Sequence, residues 1–134
     1  MSVKSNPDGY HTITPYLLVD GVAKLMSFLS KAFDASELER RLRPDGSIMH
    51  AEVRIGDSIV MMGEPLGEFG PMPASLYLYV SDCDSVYQKA LQADGISVME
   101  PTTRPSEGDR SGGVKDPSGN IWWIATHLED VSSE

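Results

Sequence analysis

Residues 116–127 read DPSGNIWWIATH. A turn built from Asp116, Pro117, Ser118, Gly119 and Asn120 feeds a short strand that carries two adjacent tryptophans. Neighbouring side chains leave a strand on opposite faces, so one of Trp122 and Trp123 enters a core while the other faces away from it. What surrounds this strand decides the architecture.

The elements before it are regular. SLYLYV at 75–80 has strand character. A candidate N-cap at Ser81 or Asp82 opens the helical stretch CDSVYQKALQA at 83–93, which ends ahead of Gly95. ISVME (96–100) and SGGVK (111–115) then lead to IWWIAT (121–126), while SEGDRSGG, which contains Asp109 and Arg110, reads as a polar loop. The N-terminal half has the same order. TITPYLLV (12–19) is a strand that Pro15 makes irregular or edge-bound, because proline lacks the ladder N–H. Asp20 is a plausible N-cap for GVAKLMSFLSKAF, where Val22, Leu25, Phe28, Leu29, Ala32 and Phe33 recur at spacings of three and four. SELERRL (36–42), IMHAEVRI (48–55) and IVMM (59–62) follow, separated by turns at Pro44–Ser47 and Gly56–Ser58.

LSKAFDAS at 29–36 also echoes QKALQADG at 88–95. A duplicated βαβββ unit accounts for both halves. Repeat one spans about 12–63, a Gly/Pro-rich connector 63–74, and repeat two about 75–126, within a single domain over 1–134. The expected fold class is α+β, with two βαβββ repeats forming a curved mixed sheet around a cleft.

Composition sets the context. A chain of 134 residues, 40% hydrophobic and 23% charged, suits one compact domain. Its 11 Lys and Arg against 20 Asp and Glu give a formal charge of −9, which argues against nucleic acid as a partner. The single Cys83 forms no internal disulfide, and MSVKSNP has no apolar signal region, so a cytoplasmic location is expected. No run approaches the ~18 apolar residues that a membrane span needs.

In such a unit the helix covers one face of the sheet and the other face is open. Alternation assigns Ala51, Val53 and Ile55 to the helix side and His50, Glu52 and Arg54 to the open side. Likewise Leu76, Leu78 and Val80 face the helix, leaving Ser75, Tyr77 and Tyr79 open. In the first strand Pro15, Leu17 and Val19 face inward, with Thr14, Tyr16 and Leu18 toward the cleft.

The paired βαβββ plan, the LLVDGVAKLMSFLSKAFDA opening, the IGDS turn and the DPSGNIWW ending resemble the vicinal oxygen chelate superfamily, which includes glyoxalase I, extradiol dioxygenases and bleomycin-resistance proteins. The resemblance spans about residues 12–126. TPYL, MHAEVRIGDS and DPSGNIWWIATH together are most similar to its uncharacterised glyoxalase-like branch, sometimes labelled 3-demethylubiquinone methyltransferase-like.

The resemblance also implies where a metal would sit. Metalloenzymes of the superfamily take His, Glu or Gln ligands from cleft-facing positions on the first, fourth, fifth and eighth strands. In this chain those positions fall on Thr14, Met61, Ser75 and Trp123. An indole offers only an N–H donor and cannot replace a carboxylate on a divalent cation. Trp122 then packs against a helix and Trp123 faces the cleft. No metal is expected at the usual site and no cofactor is implied. A divalent metal held instead by His50, Glu52 and His127 is the alternative.

An aromatic and acidic cleft lined by Tyr16, His50, Glu52, Met61, Tyr77, Tyr79 and Trp123 suits a flat or cationic small molecule. The expected function is therefore a metal-free binding protein of the bleomycin-resistance type. One alternative is a glyoxalase-like lyase, isomerase or dioxygenase using His50 and Glu52, with or without a relocated metal. Another is a chain whose cleft is filled by its own side chains and whose activity is self-association. A homodimer is expected, since the sheet edges are poorly covered and the resembling family commonly completes its cleft with a second chain. Packing alone would also explain Trp123, Tyr77 and Tyr79, and His50 with Glu52 reads equally as a surface pair. His11 reads as a solvated terminal histidine. His127, placed after the last strand, has cleft parity. Asp109 and Arg110 suit a turn ion pair or a pocket rim, Gly112 and Gly113 a close approach or a flexible loop, and LEDVSSE a solvated tail.

Overall fold

The computed structural model describes residues 3–67 and 70–131. Its order is β1 (Tyr16–Leu18), α1 (Val22–Phe33), β2 (Ser36–Leu42), β3 (Ile48–Ile55), β4 (Ser58–Gly63), β5 (Ser75–Tyr79), α2 (Cys83–Gln92), β6 (Ile96–Arg104), β7 (Asp109–Lys115) and β8 (Ile121–His127). Each repeat makes its own four-stranded sheet, in the orders β1-β4-β3-β2 and β5-β8-β7-β6. The first strand of each pairs parallel with the last, and the other pairings are antiparallel, which is the βαβββ connection drawn twice.

The apolar stripe of α1 is buried as its spacing predicts, with Met26 added to the set. One continuous core joins both repeats, from Leu17, Leu25 and Phe28 to Val114, Trp122 and Ile124. The Phe33 ring of α1 lies 5.1 Å from Trp122 on β8, so the helix of the first repeat also packs on the sheet of the second.

Several local expectations are corrected. Asp20 does not cap α1. Gly21 takes that place in the left-handed conformation (φ 75°) with no side-chain cap of its own. The Glu64 carboxylate, delivered by the end of β4, accepts from the Gly21 N–H at 3.2 Å and the Ile48 N–H at 2.8 Å. At α2 the expected cap holds, since the Asp82 side chain accepts from the Ser85 N–H. Asp109 and Arg110 lie inside β7 rather than in a loop, and His127 is the last residue of β8 rather than a residue beyond it. The tail is pinned where it begins, because the Leu128 and Glu129 N–H groups donate to the Gly108 carbonyl. Its residues 132–134, like 68–69 of the connector, lie outside the described residues. No helix among the described residues is long and apolar enough to cross a membrane.

Candidate functional site

Strand pairing lines up one row of open-face side chains across each sheet. In the first sheet, Tyr16 pairs with Met61, Met61 with Glu52, and Glu52 with Glu39. In the second, Tyr77 pairs with Trp123, Trp123 with Gly113, and Gly113 with Met99. The rows occupy equivalent places in the two repeats, so Trp123 stands where Met61 does and Gly113 where Glu52 does.

Around the first row, Glu52 is a buried carboxylate, 5% exposed. It accepts from the Tyr10 hydroxyl and meets His50 Nε2 at 2.6 Å. Burial pushes the Glu52 carboxyl up, but the Tyr10 and His50 hydrogen bonds outweigh it and hold it below its ordinary range. The Tyr16 ring packs on His50 with centroids 5.6 Å apart. Glu39, paired with Arg41 at 2.8 Å, completes a group of three side chains whose ligand atoms lie within 4.8 Å of one another. Neither Tyr10 nor Glu39 is singled out by the sequence pattern. Tyr10, which precedes the first strand, belongs to no periodic element that would place it. Glu39 lies on a strand whose apolar and polar residues barely alternate.

The second face is built around Asp109, also 5% exposed. Its carboxylate accepts from the hydroxyls of Tyr77 at 2.8 Å and Tyr79 at 3.2 Å, and Oδ1 meets His127 Nδ1 at 2.9 Å. His127 Nε2 in turn meets Asp130 Oδ1 at 2.8 Å. The His127 contact, aided by Tyr77, holds the Asp109 carboxyl below its usual range, and Asp109 followed by Asp130 raises the His127 pKa. Burial and the Asp109 charge push the Tyr77 phenol up to about 12. Arg110 points to the other side of the sheet, forking onto Asp84 with contacts of 2.9 and 3.2 Å, so the expected turn ion pair of Asp109 with Arg110 is not formed. A signal for Asp109 does exist in the sequence. Alternation in SGGVK extends back two residues and puts Asp109, Ser111 and Gly113 on one face.

Trp123 packs against Gly113 on this face. Its Nε1–H donates to Ser75 Oγ at 2.9 Å, and its six-membered ring lies so close over Gly113 that a β-carbon there would sit 2.7 Å away. Trp122 faces the core, 2% exposed, and gives its Nε1–H to Asp116 Oδ2 at 2.8 Å. An open recess of about 600 Å³ at the end of the sheet is lined by Tyr79, Val80, Ser81, Thr126 and His127, and so shares Tyr79 and His127 with the Asp109 group.

The predicted residues are thus brought together in two groups, Tyr16, His50, Glu52 and Met61 on one sheet and Tyr77, Tyr79 and Trp123 on the other. No hydrogen bond or ring contact joins the groups among the described residues. His127 belongs with Asp109, so the relocated metal set of His50, Glu52 and His127 is not assembled, and Glu39 stands in its place. His11 is exposed, and its carbonyl accepts from the Thr14 hydroxyl at 3.4 Å.

The four positions that the resemblance assigns to a metal, Thr14, Met61, Ser75 and Trp123, offer no carboxylate or imidazole and do not fit a divalent cation. Thr14 is turned to the backbone of His11, Met61 offers a thioether, and Trp123 gives its lone donor to Ser75.

This geometry defines a paired βαβββ protein of the glyoxalase type. The chain matches the Glyoxalase/Bleomycin resistance protein/Dioxygenase superfamily over residues 9–124 and belongs to that family. It is 34% identical over 133 residues to an uncharacterised protein of Mycobacterium bovis, covering 91% of this chain and 87% of that one. Its fold is similar to that of TioX from Micromonospora sp. ML1, with a TM-score of 0.71 at 21% identity over 91% of this chain and 100% of that one. It is likewise similar to TnmS3, an antibiotic-binding protein from Streptomyces sp. CB03234, with a TM-score of 0.70 at 16% identity over 95% and 98% of the two chains.

Proposed function

We propose that this chain is a metal-free, cytoplasmic small-molecule-binding protein that takes a flat aromatic or cationic compound on the open face of its second sheet. The observation that supports the reading is the Trp123 indole, pressed against Gly113 in the same row as the exposed Tyr77, with Tyr79 and the buried Asp109 carboxylate on the same face. An aromatic surface with one charged group beside it is what stacking recognition requires. The antibiotic-binding TnmS3, which shares the fold, is consistent with it.

Tryptophan emission measured during titration with acridone, a flat neutral probe, tests the reading. Saturable quenching that disappears in Trp123→Phe supports it. Emission unchanged in both proteins refutes it.

A second reading keeps a metal or an acid–base pair on the first sheet. It is favoured by the convergence of Glu39, His50 and Glu52, and it would make the chain a lyase, isomerase or dioxygenase. One equivalent of a transition metal retained through dialysis and lost in His50→Ala would establish it over the first.

Both readings are compatible with a homodimer. Tyr16, Tyr77 and Tyr79 are 49, 47 and 61% exposed on the open faces, an apolar surface that a second copy would cover. Light scattering at micromolar concentration decides between monomer and dimer.

A further inference from the structure

Resting on the binding reading above, we propose that the ligand group recognised at Asp109 is a cation borne by a flat aromatic ring, an ammonium or amidinium, and that it binds by taking the place of the His127 imidazole. The site already holds a cationisable group of the chain's own. His127 lies between two carboxylates, Asp109 at 2.9 Å and Asp130 at 2.8 Å, with the Tyr79 ring edge-on at 6.3 Å. Carboxylate, phenol hydroxyl and aromatic wall are the partners that recognise an organic cation.

The occupant is replaceable. The His127 side chain is 49% exposed and ends its strand, and the side chain of Asp130 is fully open to solvent. Asp109 by contrast is fixed by Tyr77 and Tyr79, two hydroxyls that keep donating after the imidazole leaves. The recess beside His127 gives the displaced ring and the ligand room.

Tyr77 and Tyr79 occupy Oδ2 and His127 occupies Oδ1, so an ammonium that docks on Oδ1 takes the place of the imidazole, which moves into solvent, keeps its proton below its ordinary 6.5 and sheds it above that value. Ligand affinity therefore rises with pH as His127 loses its charge. The other groups facing the pair do not reverse this. Tyr77 and Tyr79 have their phenols held protonated by burial and Asp109, and the other two neighbours, Glu107 and Asp130, are acidic side chains that add no competing cation. Arg104, the register partner of Asp109 on β6, has its guanidinium on Met99 Sδ.

The experiment uses two flat probes, 9-aminoacridine as the cation and acridone as its neutral counterpart, titrated by tryptophan quenching at about pH 5.5 and about pH 8.5. 9-Aminoacridine should bind roughly ten-fold more tightly at the higher pH, the size expected of a charge-assisted hydrogen bond that the imidazole no longer contests. Acridone should not change. Asp109→Asn should remove the preference for the cation. His127→Gln should tighten 9-aminoacridine at the lower pH and flatten its pH dependence, and it tests the exchange even if Asp109→Asn does not fold. Equal affinity of 9-aminoacridine at both pH values, or a His127→Gln variant with the wild-type pH profile, overturns the proposal. If acridone still binds through Trp123 in that case, the binding reading stands and only the cation exchange falls. If neither probe binds, both fall.

Discussion

The indole of Trp123 lies against Gly113 so closely that the two residues form one surface, with no room for a β-carbon between strand and ring. At the equivalent place in the first repeat the pair is Met61 and Glu52, a flexible thioether beside a buried carboxylate. The same backbone register therefore presents an aromatic platform on one sheet and an acidic cluster on the other.

Gly113→Ala should lift the indole off the sheet and break its 2.9 Å bond to Ser75. The expected cost is about 1–3 kcal/mol, that of inserting a methyl group into a filled space. Urea midpoints of the two proteins measure it, and an unchanged midpoint with an unchanged near-UV spectrum would show that the ring does not press on the strand.

The two tryptophans should separate in stability. Trp122→Ala empties a core site against Phe33 and should cost about 3–5 kcal/mol. Trp123→Ala removes a half-open side chain and should cost much less. Denaturant midpoints compare them directly, and equal losses would make Trp123 packing rather than platform.

Asp116 organises the turn that delivers both. Its carboxylate, 3% exposed, accepts from the Ser118 N–H at 2.8 Å, the Asn120 N–H at 3.0 Å, Asn120 Nδ2 at 2.9 Å and Trp122 Nε1 at 2.8 Å. Asp116→Ala should cost about 3 kcal/mol or more, because several donors are left buried without an acceptor. Thermal unfolding tests this, and a loss no larger than for the exposed turn residue Asp57→Ala would contradict it.

The Asp109–His127 pair predicts a pH window for stability. Asp109 titrates below its ordinary 3.8, so its contribution is present above that value and lost as pH falls through the lowered pKa. His127 titrates above its ordinary 6.5, so its contribution is complete below that value and lost as pH rises through the raised pKa. The stability difference between wild type and His127→Gln should peak between these ordinary values and shrink on either side. A difference independent of pH would show that the imidazole and carboxylate are not coupled.

How much of this is legible in the sequence follows from what alternation can carry. The duplicated βαβββ order, the buried face of α1 and the opposite faces of Trp122 and Trp123 all rest on period, and period is local. In β3 the expected faces hold from His50 onward. Met49, however, is an extra residue between the pairs Arg41–His50 and Leu42–Ile48, and it leaves Ile48 and Ala51 both buried. The Glu64 cap on Gly21 and the Tyr10 bond to Glu52 join residues 43 and 42 positions apart, which no window along the chain displays. At Asp109 the alternation that reaches it from SGGVK is masked by composition. Its neighbours Gly108, Ser111, Gly112 and Gly113 are turn-forming residues, and the small side chains that suggest a loop are those a strand needs beneath a flat indole.

The central claim is that Trp123, and not Trp122, meets a ligand. The chain has 2 tryptophans, so its two indole N–H resonances can be followed separately during titration with 9-aminoacridine and assigned with Trp123→Phe. The account predicts that the Trp123 indole signal shifts progressively to saturation while the Trp122 signal, tied to Asp116 in the core, stays in place. A Trp123 signal that does not move, or a Trp122 signal that moves as far, would contradict it.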